Sequence, residues 1–175
     1  VDVLFGGSRD TFLPGGLPWA AYDLGGGVSS ARVLRLHGEA DGHSFGDCSL
    51  IADVDQDGMA DLLIGDYQAR GPLDAVGANV GEVSILRAGG LVPAVGTLEL
   101  ALATDPAAMP AGLRLTRFYG KTKVVRFGTT LAVGDLNGDG RPDVLTGANQ
   151  ARGLGRLFAN GGEAYVFWGR ATWWR

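Results

Sequence analysis

Residues 53–61 read DVDQDGMAD, and residues 135–143 read DLNGDGRPD. Both stretches have the form D-x-[DN]-x-[DN]-G-x-x-D, with oxygen-bearing side chains at positions 1, 3 and 5 and a glycine at position 6. This spacing points three side-chain oxygens into one small volume, and the glycine permits the sharp bend that wraps the chain round an ion. The two nonapeptides therefore predict two cation-binding loops.

The predicted ligands are all hard oxygens. They are the side chains of Asp53, Asp55, Asp57 and Asp61 with the backbone carbonyl of Met59 in the first loop, and those of Asp135, Asn137, Asp139 and Asp143 with the carbonyl of Arg141 in the second. Such sets suit Ca²⁺, which accepts about six to eight oxygens in flexible geometry, and no His or Cys is nearby for zinc or copper. Mg²⁺ fits less well because it prefers a strict octahedron and retains its waters.

Two alternatives to these calcium loops start from the same residues. An EF-hand requires a bidentate Glu at position 12, which is Ile64 or Thr146 here, and the flanking residues have a β-type pattern. Plain Asp-Gly hairpin turns are the simpler alternative. However, four and three carboxylates within nine residues would repel one another without a cation, and the pattern occurs twice.

An internal repeat surrounds the loops. A shift of 82 positions places Phe45-Gly46 on Phe127-Gly128, the first loop on the second, and QARG at 68–71 on QARG at 150–153. After a one-residue deletion, GEVSIL at 81–86 aligns with GEAYVF at 162–167. Each unit thus predicts a strand, an acidic turn, a strand, a long loop and a strand, with a further strand before it.

The predicted strands are Ala31–Leu36, Ser49–Ala52, Asp61–Ile64 and Glu82–Leu86 in the first unit, and Leu113–Phe118, Leu131–Gly134, Asp143–Thr146 and Glu163–Phe167 in the second. Four short antiparallel strands in each unit predict one β-propeller blade per unit. The composition agrees, since thirty glycines and seven prolines favour short strands joined by tight turns. The predicted fold class is all-β.

The repeat divides the chain into five segments. They are the closing strand of a preceding blade with a connector (1–30), the first unit (31–88), a connector (89–112), the second unit (113–169) and the start of a further connector (170–175). Partial blades are therefore expected at both ends. Because closed propellers need about four to eight blades, either the chain is part of a longer polypeptide or identical copies associate head to tail, with Val1–Phe5 completing a neighbour's blade.

These motifs together resemble an FG-GAP repeat, the module of integrin α-subunit heads and of many secreted bacterial proteins. The resemblance rests on Phe45-Gly46, the acidic nonapeptide, DLLIGDY at 61–67 and GEVSIL at 81–86, with matching residues in the second unit. It implies a β-propeller with calcium loops on its rim and an extracellular setting, and it implies no catalysis. Two departures are GDY and GAN in place of GAP, and a longer repeat spacing that is more similar to bacterial and archaeal members.

Bulk properties exclude several functions. Two divalent ions would move the net charge from −4 to about 0, and no basic face for nucleic acid is visible. No apolar run is long enough to span a membrane, and the single cysteine, Cys48, excludes an internal disulfide. Because no nucleophile elbow or acid/base carboxylate pair occurs, we expect no enzymatic activity.

Several other residues receive structural interpretations. His37 and His43 align with Tyr119 and Val125, which indicates surface or loop roles, and Cys48 is expected to be a small buried residue. The core is expected to include Phe5, Phe45, Phe127 and Phe167, and Trp168, Trp173 and Trp174 are expected to dock against a missing blade or a neighbouring subunit.

The expected function is that of a calcium-binding structural or adhesive extracellular propeller segment. Its loops at 71–80 and 153–161 would contact an extracellular protein or glycan. Two alternatives stay open from sequence: an accessory propeller region of a secreted enzyme, and a self-assembling extracellular fibre or surface-layer subunit.

Overall fold

The computed structural model describes residues 2–4, 33–38, 41–71, 79–88, 96–99, 113–121, 125–152 and 160–170. All regular secondary structure in these ranges is β, so the predicted fold class is confirmed there. The strands are β1 (Asp2–Leu4), β2 (Val33–His37), β3 (Cys48–Ala52), β4 (Asp61–Asp66), β5 (Glu82–Ala88), β6 (Gly96–Glu99), β7 (Leu113–Tyr119), β8 (Phe127–Gly134), β9 (Asp143–Ala148) and β10 (Glu163–Phe167). No helix in the described ranges is long and apolar enough to cross a membrane.

Eight of these strands are the ones that the repeat predicts, with small shifts at their ends. β8 begins at Phe127 rather than Leu131, because Phe127 already pairs with Ala148 before an irregularity in the ladder. β6 lies in the segment that the sequence assigns to a connector, and its pairing with β2 is parallel. Long-range parallel pairing leaves no turn signal in the sequence, which explains why β6 was not predicted.

The described strands form three sheets. Their orders are β1–β2–β6 in the N-terminal sheet, β3–β4–β5–β7 in the middle sheet and β10–β9–β8 in the C-terminal sheet. Within the middle and C-terminal sheets all pairs are antiparallel, as the sequence predicts.

The prediction that each sheet takes all four strands from one repeat unit is wrong. β7 precedes the second unit, yet it pairs along its whole length with β5 of the first, from Glu82↔Tyr119 to Ala88↔Leu113. This pairing satisfies the backbone groups of the β5 edge, which would otherwise be open. β2 likewise stays out of the first unit's sheet and pairs with β1.

The β1–β2 pairing repeats the register of β5–β7. Asp2 is opposite Arg35, and Ser84 is opposite Arg117, which lies 82 positions after Arg35. β1 therefore pairs with β2 in the same register in which β5 pairs with β7.

The C-terminal sheet packs against the middle sheet, and the main core cluster lies between them. β8 lies against β3, β4 and β5. The cluster consists of Val54, Leu63, Val83, Ile85, Val125, Phe127, Val144, Ala148 and Ala151. Aromatic contacts extend it, with ring centroids 4.6 Å apart for Phe118 and Phe167 and 5.4 Å apart for Phe127 and Tyr165.

The Phe127-Gly128 step fixes the closest approach between these two sheets. The Phe127 N–H donates to the Val80 carbonyl at 3.3 Å, and the Phe127 side chain is 2% exposed. Gly128 has a φ of 90°, and a Cβ at this position would lie 2.3 Å from the Glu82 carbonyl oxygen. Only glycine combines that φ with that approach of two backbones, so the pair is required by the packing.

The Phe and Trp residues that were expected in the core or at a docking surface differ in their burial. Phe127 and Phe167 pack at the core as expected, whereas Phe45 is half-buried. Trp168 is 41% exposed. Phe5, Trp173 and Trp174 lie outside the described residues.

His43 lies in a loop as expected, but its side chain is only 6% exposed, so a surface role is wrong. Its Nδ1 lies 3.1 Å from Asp66 Oδ2. The aligned residue of the second unit, Val125, is also buried, which shows that the position is internal in both units. His37 is exposed, and the free thiol Cys48 is half-buried rather than buried.

Candidate metal centre

Both acidic nonapeptides lie at the turns of β-hairpins. The first joins β3 to β4, where Ala52 pairs with Asp61, and the second joins β8 to β9, where Gly134 pairs with Asp143. The first and last aspartates of each loop therefore lie where the pairing between the two strands of the hairpin ends. This is the placement that the sequence predicts.

The same hydrogen bonds shape both loops. In both loops the first carboxylate accepts the N–H groups of the fifth and sixth residues: Asp53 accepts those of Asp57 at 3.2 Å and Gly58 at 3.0 Å, and Asp135 accepts those of Asp139 at 3.1 Å and Gly140 at 2.8 Å. Asp135 also accepts the Gly138 N–H at 2.7 Å. Bonds of this kind bend a chain round a carboxylate without any helix or strand. Two loops of different sequence thus share one backbone path.

The last carboxylate closes each loop from inside the protein. Asp61 Oδ2 accepts the Val54 N–H at 2.9 Å, and Asp143 Oδ2 accepts the Leu136 N–H at 2.8 Å. Asp61 is 1% exposed and Asp143 is 3% exposed. Each loop therefore contains one anchored, buried carboxylate, while its other acidic groups are nearer the solvent.

The side chains of Asp53, Asp55 and Asp61 converge in the first loop. Each offers one carboxylate oxygen, and these three oxygens all lie within 4.8 Å of one another. Asp61 Oδ1 is buried and has no hydrogen-bond partner. A buried unpaired carboxylate oxygen is costly, and a cation bound among the three groups would satisfy it. The donor set fits Ca²⁺.

Asp57 and Met59 are placed differently from these three residues. Asp57 is exposed and does not belong to the converging group, and its Oδ1 accepts the Met59 N–H at 2.8 Å. The Arg141 N–H makes the equivalent bond to Asp139 Oδ1 at 2.9 Å. Coordination by Asp57, Asp139 and the carbonyls of Met59 and Arg141 stays a prediction.

The surroundings of Asp61 also shift its pKa. Its pKa is raised to about 6, chiefly by burial and also by the nearby Asp55, Asp57 and Asp53 carboxylates, while the hydrogen bond from the Val54 N–H opposes the rise. The ionised carboxylate is therefore disfavoured by desolvation and by like charges. A divalent cation would reverse both effects.

Arg87 supplies a positive charge to the first loop that the sequence did not indicate. Its Nη1 lies 3.1 Å from Asp55 Oδ2, and the residue is 8% exposed. It lies in β5, thirty-two positions after Asp55, so only the fold brings the two together. The aligned residue in the second unit is Trp168, which has no charge with which to pair a carboxylate.

The second loop has a weaker ligand set than the first. Both oxygens of Asp143 have partners, since Oδ1 accepts the Gly169 N–H at 2.8 Å. Asn137 replaces Asp55, and its Nδ2 donates to Asp139 Oδ2 at 3.1 Å. Among the described residues of this loop, three carboxylates do not converge as they do in the first, because one of the three positions is an amide.

The two loops touch each other. The Gln56 side chain of the first donates from Nε2 to the carbonyl of Gly140 in the second, at 2.6 Å. Gln56 has a φ of 61°, which is uncommon outside glycine, and the aligned residue in the second loop is Gly138. The contact links the two candidate sites directly.

Residues 127–167 match the family model of the FG-GAP repeat. The match runs from the Phe127-Gly128 step through the second acidic loop to the end of β10. No curated protein matches the chain significantly. The second unit is thus similar to an FG-GAP repeat over residues 127–167.

Proposed function

We propose that the chain is a calcium-binding segment of an extracellular β-propeller, in which bound cations stiffen the hairpins of successive blades. The FG-GAP repeat at 127–167 and the converging carboxylates of the first loop support this function. The repeat supports the architecture and the extracellular setting, and the carboxylates support the cation.

One observation carries the calcium assignment: the Asp61 oxygen that has no partner although the residue is 1% exposed. Native proteins pair almost all of their buried polar atoms. The two neighbouring carboxylates, Asp53 and Asp55, offer this oxygen further acceptors and no donor, so a cation is favoured as its partner.

The residues would act on the cation in two ways. Asp53, Asp55 and Asp61 would supply charged oxygens, and the backbone bonds to Asp53 hold its carboxylate toward the centre of the loop. A calcium ion supplies charge that offsets the repulsion among the carboxylates. Since Asp53 and Asp61 stand at the ends of β3 and β4, binding would fasten the open end of this hairpin.

The adhesive part of the proposal concerns the loops at 71–80 and 153–161. Of these, residues 72–78 and 153–159 lie outside the described residues. The support is that both loops join strands of the sheets that the acidic loops brace, so a stiffened sheet would hold them in fixed positions.

Isothermal titration with Ca²⁺ tests the proposal. The unaltered chain should bind calcium, and Asp61→Asn should weaken the first site at least about tenfold, because it removes a ligand charge and keeps the side chain's size. The matched control is Asp41→Asn, which neutralises an exposed aspartate outside both loops.

Thermal melting gives a second readout. Chelation with EGTA should lower the melting temperature of the unaltered chain by more than that of Asp61→Asn, which retains only the second loop as an intact candidate site. If the unaltered chain binds no calcium at about 1 mM, a concentration at which extracellular calcium modules are filled, the proposed function is wrong.

A further inference from the structure

The two acidic loops follow strands that pack against each other. The first loop (53–61) follows β3, the second loop (135–143) follows β8, and β8 lies against β3. The Gln56 side chain of the first loop donates from Nε2 to the Gly140 carbonyl of the second at 2.6 Å. A change that orders one loop can therefore act on the other through this bond.

Gln56 has the same backbone conformation as the aligned glycine of the second loop. Its φ is 61°, and that of Gly138 is 74°. A glycine adopts this left-handed conformation freely, whereas a residue with a long side chain adopts it less often. Gly138 has no side chain with which to reach the other loop. The position at which the two loops differ is thus the position that joins them.

The candidate cation ligands set the backbone turn that contains Gln56. The N–H of the next residue, Asp57, donates to both Asp53 Oδ1 and Asp55 Oδ1, each at 3.2 Å. Asp53 and Asp55 are two of the three carboxylates that converge with Asp61. Without a cation these like charges repel one another, and a cation bound among them would hold them together. The cation would then also fix the turn from which the Gln56 side chain extends.

In the second loop, Gln56 holds a single peptide group. The Gly140 carbonyl that accepts its bond and the Arg141 N–H belong to the same planar peptide group. That N–H donates to Asp139 Oδ1 at 2.9 Å, while Asp139 Oδ2 accepts the Asn137 amide at 3.1 Å. Fixing this peptide group therefore orients the Asp139 carboxylate, which is a predicted cation ligand.

We propose that a cation bound in the first loop orders the second loop through the Gln56 side chain, so that the two hairpins stiffen together. This inference rests on the calcium binding proposed above for the first loop. Because coupling between two sites is reciprocal, an ion in the second loop would strengthen binding in the first by the same factor. The bond is exposed, so we expect a factor of about fivefold, at the low end of coupling between sites.

Nuclear magnetic resonance of the isotope-labelled chain during a Ca²⁺ titration tests this proposal. The Gly58 amide reports the first loop, because it donates to Asp53, and the Arg141 amide reports the second. In the unaltered chain, the order parameter of the Arg141 N–H should rise as the first loop fills. The titration is run at about 0.15 M salt, which screens the direct effect of charge between exposed loops.

Two substitutions of Gln56 isolate its side chain. Gln56→Gly removes the donor and suits the backbone, since glycine is the aligned residue of the second loop. Gln56→Asn keeps an amide and tolerates the positive φ, but it is one methylene shorter and cannot make the bond. Both variants should keep the Gly58 response to calcium and lose the rise in Arg141 order. Agreement between them excludes the added freedom of a glycine as the cause.

The calcium affinity of the second loop gives a further readout, from the chemical shift of the Arg141 amide. Asp61→Asn weakens binding at the first loop, so calcium should then bind the second loop about fivefold less tightly than in the unaltered chain. The same substitution made in Gln56→Gly should leave the affinity of the second loop unchanged, because the connection is already lost.

The outcomes separate this inference from the proposed function. Suppose that Gly58 responds to calcium while the order parameter of Arg141 changes equally in the unaltered chain and in both Gln56 variants. The coupling is then wrong, and calcium binding by the first loop stands. An affinity of the second loop that ignores Asp61→Asn in the unaltered background leads to the same conclusion. A Gly58 amide that does not respond at about 1 mM calcium contradicts the proposed function itself.

Discussion

Asp61 combines three properties that rarely coincide in a stable protein. It is buried, it neighbours other carboxylates, and one of its oxygens has no partner. Each property disfavours the ionised side chain when no cation is bound. The consequence for stability follows from the pKa.

The stability of the metal-free chain should therefore depend on pH. Because the folded-state pKa of Asp61 is about 6 and its ordinary value is 3.8, the protonated carboxyl favours folding. This contribution is present below about pH 4 and is lost as pH rises through about 6, with a loss of up to about 3 kcal/mol. Urea unfolding in metal-free buffer at pH 4.5 and about pH 7 measures it.

Asp61→Asn is the control for this titration, since its amide cannot ionise. The difference in unfolding free energy between variant and unaltered chain should change across that interval in favour of the variant at the higher pH. A difference that stays constant would contradict the assignment of a raised pKa to Asp61.

Arg87 should lower the calcium affinity of the first loop. Its guanidinium pairs with Asp55 Oδ2 and places a positive charge beside the converging carboxylates. Arg87→Met keeps an apolar stem and removes the charge, so calcium should bind about fivefold more tightly, equivalent to about 1 kcal/mol. Titration calorimetry measures the change. Arg114→Met removes the charge of the exposed cross-strand neighbour and should have a smaller effect.

At the scale of elements, the Phe127-Gly128 step decides how closely β8 can approach the middle sheet. Gly128→Ala should destabilise the chain by about 3 kcal/mol or more, because a methyl group would collide with the Glu82 carbonyl and the φ of 90° disfavours any side chain. Urea unfolding measures this loss.

Gly134→Ala is the matched control, since it lies in the same strand and a Cβ there meets nothing within 4 Å. Its unfolding free energy should stay within about 0.5 kcal/mol of the unaltered chain. Equal losses for the two variants would show that the close backbone approach is not the cause.

Much of each element could be predicted from the sequence, because its signals are local. The repeated nonapeptides located both hairpin turns, and the repeated β-type residues that flank them located the strands. The partner of β7 could not be predicted in this way. Its residues favour a strand, but whether Leu113–Tyr119 pairs with β5 or β8 depends on which sheet edge is open in three dimensions.

The candidate site was predictable to a similar degree. The spacing of Asp53, Asp55 and Asp61 indicated their convergence, and the structure brings these three together. The Arg87 contact and the unpartnered Asp61 oxygen were not predictable, since both depend on which residues the fold brings to the loop. The aligned second unit gave no help, because Trp168 and Gly169 change the surroundings of its loop.

For the whole molecule, calcium should act as a stabilising ligand by mass action. If the ion binds only the folded chain, each tenfold rise in free calcium above the dissociation constant adds about 1.4 kcal/mol per site to the free energy of unfolding. The melting temperature should therefore keep rising after the sites are full. Scanning calorimetry across a calcium series measures this, and a plateau at saturation would show that the unfolded chain also binds calcium.

Because β7 pairs with β5, the middle sheet includes one strand that the sequence repeat assigns to the second unit. A truncation made where the sequence begins to repeat, before Leu113, would remove the neighbour along which all seven residues of β5 are paired. The outer strand of the middle sheet, β7, is thus supplied by the first residues of the second unit. Dissecting such a protein into autonomous pieces requires cuts placed after Tyr119, not at the boundary that an alignment of the repeats suggests.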